Sequence, residues 1–98
     1  MRDRPEIVCL CGSTRFVDDM RALSFGLALT GVIVLTPAET DEELTADQKT
    51  TLGALHLRKI DLADRVLVVN PGGYIGKSTR REIDYARTAG KPVSFTDP

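Results

Sequence analysis

The chain has 98 residues, 42% of them apolar and 28% charged, with 13 basic against 14 acidic side chains and a net charge of −1. That length allows a single domain, 1–98, with one modest core burying about 60–65% of the unfolded surface. The charge balance excludes a dedicated nucleic-acid binder and a polybasic membrane module, and no apolar run approaches the ~20 residues of a membrane span.

The opening stretch, Met1-Arg2-Asp3-Arg4-Pro5, leads into no secretory apolar segment, so the expected compartment is the cytoplasm. Residues 7–10, Ile-Val-Cys-Leu, are a short β-branched apolar run stopped by Gly12-Ser13 and predict a buried strand. Cys9 and Cys11 are the only cysteines. Two positions apart in an extended segment, they share a face and are poorly placed to bond each other. With His56 as the single histidine, the usual ligand set of a structural zinc site is missing. The expectation is two small buried thiols and no metal.

Phe16, Val17, Met20, Leu23, Leu27 and Ala28 recur at three- and four-residue steps and predict a helix over 16–30, closed by Gly31. Residues 32–35 predict a second buried strand, ended by Pro37. The acidic stretch 38–47 reads as a solvated loop or lid. A second helix is predicted over 45–63 and a third strand over 65–70. The glycine-rich stretch 71–76 is expected to be irregular. A third helix over 78–89 ends at Gly90, and a fourth strand spans 92–95.

The order is β-α-β-α-β-α-β. Apolar strands alternating with helices imply an α/β fold: a small, doubly wound, Rossmann-like or flavodoxin-like parallel sheet of about four strands. Ligands of such sheets bind outside the carboxyl ends of the strands, at the topological switch point. The loops over 11–15 and 70–77 should therefore lie side by side there. Both are rich in glycine, hydroxyl and basic residues.

In the first loop, Gly12 lets the backbone approach a ligand, Ser13 and Thr14 supply hydroxyls, and Arg15 supplies a fork suited to phosphate. The bland alternative is a tight turn with a cap and a solvated arginine. The second loop lacks Walker spacing and a dinucleotide fingerprint, but Asn70, Gly72, Gly73 and Ser78 can wrap a sugar phosphate. Glu82 has two readings. Thr79-x-x-Glu82 fits a capping box, and a carboxylate in the first turn, held ionised by the helix dipole, suits a nucleophile or oxocarbenium stabiliser. His56 falls on the apolar face of its helix, as a core-edge histidine or as a proton donor to a ligand. Asp61 is expected in solvent. Asp64, near the start of the third strand, is a further candidate ligand contact.

Taken together, Cys11-Gly12-Ser13-Thr14-Arg15, Ala63-Asp64-Arg65-Val66-Leu67-Val68-Val69-Asn70 and Gly76-x-Ser78-x-x-x-Glu82-Ile83-x-Tyr85-Ala86 resemble the nucleoside 2-deoxyribosyltransferase superfamily over nearly the whole chain. The likeness is greatest to its short deoxyribosyltransferase-like members and extends to the 2′-deoxynucleoside 5′-monophosphate N-glycosidases. The resemblance implies cleavage of an N-glycosidic bond, with Glu82 as nucleophile and Ser13 and Arg15 on the 5′-phosphate. It also implies sites shared between subunits, hence a homo-oligomer. Three departures stand out. His56 replaces an aspartate that the family often has, Ser78-Thr79-Arg80-Arg81 is bulkier than the family's approach to the glutamate, and the sequence lacks a further strand and helix of fuller members. Cys11-Gly12-Ser13 with Pro71-Gly72-Gly73 also resembles the cytokinin-activating phosphoribohydrolases, with their Pro-Gly-Gly spacing broken by Tyr74-Ile75.

The expectation is therefore an N-glycosidase acting on a nucleoside or nucleotide by hydrolysis, with transfer to another base as a variant. It needs no cofactor, metal, nucleic acid or membrane. Its alternative is a non-catalytic nucleotide-binding sensor or regulatory module of the same fold.

Overall fold

The computed structural model describes residues 3–98; Met1 and Arg2, the head of the stretch read as non-secretory, lie outside them. Strands β1 (Ile7–Gly12), β2 (Ile33–Leu35), β3 (Arg65–Val69) and β4 (Val93–Phe95) alternate with helices α1 (Val17–Leu29), α2 (Ala46–Leu62) and α3 (Lys77–Thr88). The sheet is wholly parallel in the order β2-β1-β3-β4. It is the doubly wound α/β fold that the alternation predicts. The chain leaves β1 toward one edge and returns through α2 to the other, so the switch point lies between β1 and β3.

Strand alternation divides the core in two. Val8 and Leu10 of β1 point to one face, where Met20 of α1 and Val69 meet them. Cys9 and Cys11 point to the other, against Ile60 of α2, Val66 and Val68 of β3, and Ile83 and Ala86 of α3. β1 and β3 are thus covered on both sides, which is why they read as continuous apolar runs. β2 differs from its prediction. It is an edge strand with Ile33 41% exposed, and a β-branched run reads alike at an edge and in the middle of a sheet.

Helix ends explain several boundaries. α2 starts at a capping box: the Thr45 hydroxyl accepts from the Gln48 N–H at 3.1 Å, and the Gln48 side chain accepts from the Thr45 N–H at 2.9 Å. Its far end is closed by Lys91, whose Nζ donates to the carbonyls of Asp61 and Ala63 at 3.1 and 2.9 Å. The stretch expected to be wholly irregular holds one 3₁₀ turn, Pro71–Gly73, with φ of 68° at Gly72 and 83° at Gly73. Those left-handed values are open to glycine at little cost. A second 3₁₀ turn, Thr14–Phe16, delays α1 to Val17. Among the described residues no helix is long and apolar enough to cross a membrane.

Two glycines should respond oppositely to alanine. A Cβ on Gly12 would stand 2.9 Å from the Val69 carbonyl oxygen of the neighbouring strand, whereas one on Gly53, inside α2, meets nothing within 4 Å. Gly12→Ala is expected to destabilise by about 1–3 kcal/mol, the range for overpacking. Gly53→Ala is expected to stabilise by about 0.5–1 kcal/mol, by lowering the entropy of the unfolded chain. Urea denaturation reads both, and an unchanged midpoint for Gly12→Ala would mean that the strands yield easily at that point.

Candidate functional site at the carboxyl ends of β1 and β3

The register pairs Gly12 with Val69, which brings the loops after β1 and β3 together as their composition predicts. The first loop is ordered from within. The Ser13 hydroxyl accepts from the Arg15 N–H at 3.3 Å, and the Ser13 carbonyl accepts from the Phe16 N–H at 2.9 Å. The second is braced by the Gly73 N–H, which donates to the Asn70 carbonyl at 2.7 Å. Tyr74 joins the two. Its ring lies 3.8 Å beneath the Arg15 guanidinium and meets the Phe16 ring edge-on at 5.9 Å. Stacking engages the guanidinium face, whereas a phosphate binds the N–H edge. Sequence reasoning passed over Tyr74, and the available signal was an aromatic residue in a glycine-rich loop opposite an arginine.

Gly12, Ser13, Thr14, Arg15, Gly72, Gly73 and Ser78 thus share one edge of the sheet. Two candidates have other work. The Asn70 side chain is buried, donating to the Asp97 carbonyl at 2.9 Å and accepting from the Asp97 N–H at 3.0 Å. It fastens the segment after β4 to the end of β3. Asp64 stands at the opposite, amino end of the strands. It accepts a bidentate pair from Arg4 at 2.8 and 3.1 Å and the Ile7 N–H at 2.7 Å. Proximity to β3 in sequence had placed it with the ligand; its polarity along the strand removes it. Asp61 is exposed, as expected, and accepts from the Tyr85 hydroxyl at 2.7 Å.

The capping box at Thr79 is also overturned. Gly76 is the N-cap of α3, with no side-chain cap bond, and Thr79 is buried inside the helix. Glu82 therefore lies in the second turn and turns inward. Its side chain is 15% exposed, and its Oε1 stands 3.9 Å from His56 Nε2. Burial raises its pKa, while the neighbouring His56 and Cys11 pull it down less strongly. Burial thus disfavours the charged form, opposite to the expected direction.

His56 is buried beneath β1, on the face where both cysteines point. Its Nε2 lies 3.4 Å from Cys11 Sγ and 3.7 Å from Cys9 Sγ. The core-edge reading of His56 holds, and a direct proton donor to a bound base does not fit this burial. Desolvation lowers the His56 pKa, but contact with Cys9 and the charge of Glu82 outweigh it and the net shift is upward. The thiols divide: Cys9 is pulled down beside Cys11 and His56, while Cys11 is pushed up by Cys9 and by burial. Both cysteines are free, as expected.

A cleft lies to one side of this edge. A hollow of about 580 Å³ opens between α1 and the segment after β2, lined by Thr14, Met20, Arg21, Phe25, Pro37 and Lys59. Arg21 closes its lip by pairing with Glu39, and Lys59 Nζ donates to the Thr36 carbonyl at 2.7 Å. Of the predicted site residues, Thr14 borders this hollow. The geometric opening and the chemical edge thus meet at the first loop. No family of known proteins matches the chain as a sequence, and neither does any curated protein.

Proposed function

We propose that this domain binds a nucleoside 5′-monophosphate across the ends of β1 and β3 and hydrolyses its N-glycosidic bond. The observation that carries the reading is the convergence, at the switch point, of the Gly12–Arg15 turn, the Gly72-Gly73 turn and the start of α3, the helix that carries Glu82 in its second turn. The resemblance to deoxyribosyltransferase-like proteins supports the same reading. Arg15, Ser13 and backbone N–H groups hold the phosphate. The Glu82 carboxylate attacks the anomeric carbon as the bond to the base breaks, and the leaving base takes a proton from solvent, to which the later water attack returns one. Water then cleaves the glycosyl ester and restores the carboxylate. Transfer differs only in a second base replacing that water. His56 and Cys11 hold the carboxylate in place; they are positioning residues. Assembly belongs to the same proposal, since Phe25 and Leu29 of α1 leave side chains 68% and 72% exposed that a second copy would cover.

Incubation with a panel of nucleoside monophosphates and chromatography for free base tests the reaction. One observation favours a second reading, a non-catalytic nucleotide-binding module: Glu82 is mostly covered and the open cleft lies elsewhere. Nucleotide binding without base release would establish it. Arg15→Ala separates phosphate from sugar recognition. It is expected to weaken a monophosphate by about 1.5–3 kcal/mol, as for a charge-assisted hydrogen bond, and the free nucleoside hardly at all. Equal losses in calorimetric titrations of the two ligands would remove Arg15 from the phosphate site.

A further inference from the structure

We propose that Cys9, Cys11 and His56 form a buried binding site for a divalent ion of the zinc type. The three ligand atoms lie within 4.8 Å of one another, and all three residues are buried. The site shares Cys11 and His56 with the N-glycosidase reading, in which they position Glu82, but its test reads metal binding and not base release.

Geometry carries it. Tetrahedral zinc, with sulfur at about 2.3 Å and nitrogen at about 2.0–2.1 Å, sets ligand sulfur and nitrogen roughly 3.5 Å apart. The separations from His56 Nε2 are 3.4 Å to Cys11 and 3.7 Å to Cys9. The site is built by three regularities at once. Alternation in β1 turns both sulfurs to one face, and the capping box fixes where α2 begins. α2 then lays His56 and Ile60, one turn apart, on the sheet. Three protein ligands leave the fourth position of the tetrahedron to water. Glu82, partly exposed, stands near the cluster with its Oε1 3.9 Å from His56 Nε2.

A divalent cation is matched by two cysteines that bind it as thiolates. Two S–H bonds break, two metal–sulfur bonds form, and two protons leave to solvent. The centre formed by the ion and the two thiolates is then neutral. Thiolate and imidazole donors select zinc and its soft neighbours over magnesium or calcium. One feature limits affinity. His56 Nδ1 is buried with no hydrogen-bond partner among the described residues. A metal-bound histidine ordinarily donates that N–H to a second group, and loss of such a partner weakens binding about 10–100-fold. The site is therefore expected to be weaker than a four-cysteine zinc centre.

Cobalt(II) is the probe. One equivalent added to the reduced, metal-free protein is expected to give a sulfur-to-cobalt charge-transfer band and the intense visible bands of tetrahedral cobalt. Zinc should erase both. Cys9→Ser and Cys11→Ser should each lower the charge-transfer band by half or more, with folding followed by circular dichroism. Because either buried serine can unfold the chain, zinc protection of the wild-type thiols against alkylation is measured as well. Only the weak spectrum of aqueous cobalt, with no zinc protection of folded wild-type protein, would overturn the site. Undiminished bands in both folded serine variants would overturn it equally.

Discussion

Glu82→Gln is expected to abolish base release while leaving the fold intact. In the N-glycosidase reading the carboxylate supplies both the bond to the sugar and the charge that faces the oxocarbenium ion. An amide supplies neither. Turnover should therefore fall by roughly three orders of magnitude or more, with little change in ligand affinity, because the lost interaction is made mainly in the transition state. The structure sharpens the control. Glu82 caps no helix, so the amide removes no cap bond. It keeps the shape beside His56 and Cys11 and takes a charge out of a mostly covered position whose pKa burial has raised. The melting temperature should stay level or rise. A fall in turnover with a collapsed melting curve would leave a purely structural role for Glu82. Retained turnover in a folded variant would sink the nucleophile.

The strands and helices were legible because each buried segment carries its own period. β1 and β3 read as apolar runs because helices cover both their faces, and the steps in α1 and α2 mark the sides that meet the sheet. Adjacency of the two loops followed from topology alone. What the sequence could not show is which face meets which. Cys9 and Cys11 were seen to share a face, and His56 to lie on the apolar side of α2, but they are 47 and 45 positions apart in the chain. Only the return of α2 across the sheet, from β2 to β3, puts them in contact. The Thr79-x-x-Glu82 pattern misled for a local reason: Gly76, with φ of −79° and ψ of 175°, already starts the helix three residues earlier. Asp64 was misassigned against the topology itself: it precedes β3, at the amino end of the strands, whereas ligands of such sheets sit at the carboxyl ends.

The largest effect on stability is expected from Ile60→Ala. Ile60 lies one turn beyond His56 on α2 and is fully buried against the cysteine face of the sheet. Removing its branched side chain strips apolar contacts from β1, β3 and α3 together and leaves a void in the centre of that layer. Such truncations cost about 2–5 kcal/mol, against a total stability of about 5–15 kcal/mol for a domain. For a chain of this size each kcal/mol lowers the melting temperature by about 4–8 °C. Ile60→Val keeps most of the volume and should cost only about 0.5–1.5 kcal/mol. The pair of variants also tests whether the buried cluster depends on packing below it. α2 holds His56 against Cys9 and Cys11 only as firmly as Ile60 seats the helix on the sheet. In a folded Ile60→Ala protein the imidazole should therefore loosen, and its NMR signals should broaden or move toward those of an exposed histidine. In Ile60→Val they should stay in place. A melting temperature within a few degrees of wild type for Ile60→Ala would show that the layer collapses onto the void, and that His56 is held by its contacts with the two thiols and Glu82.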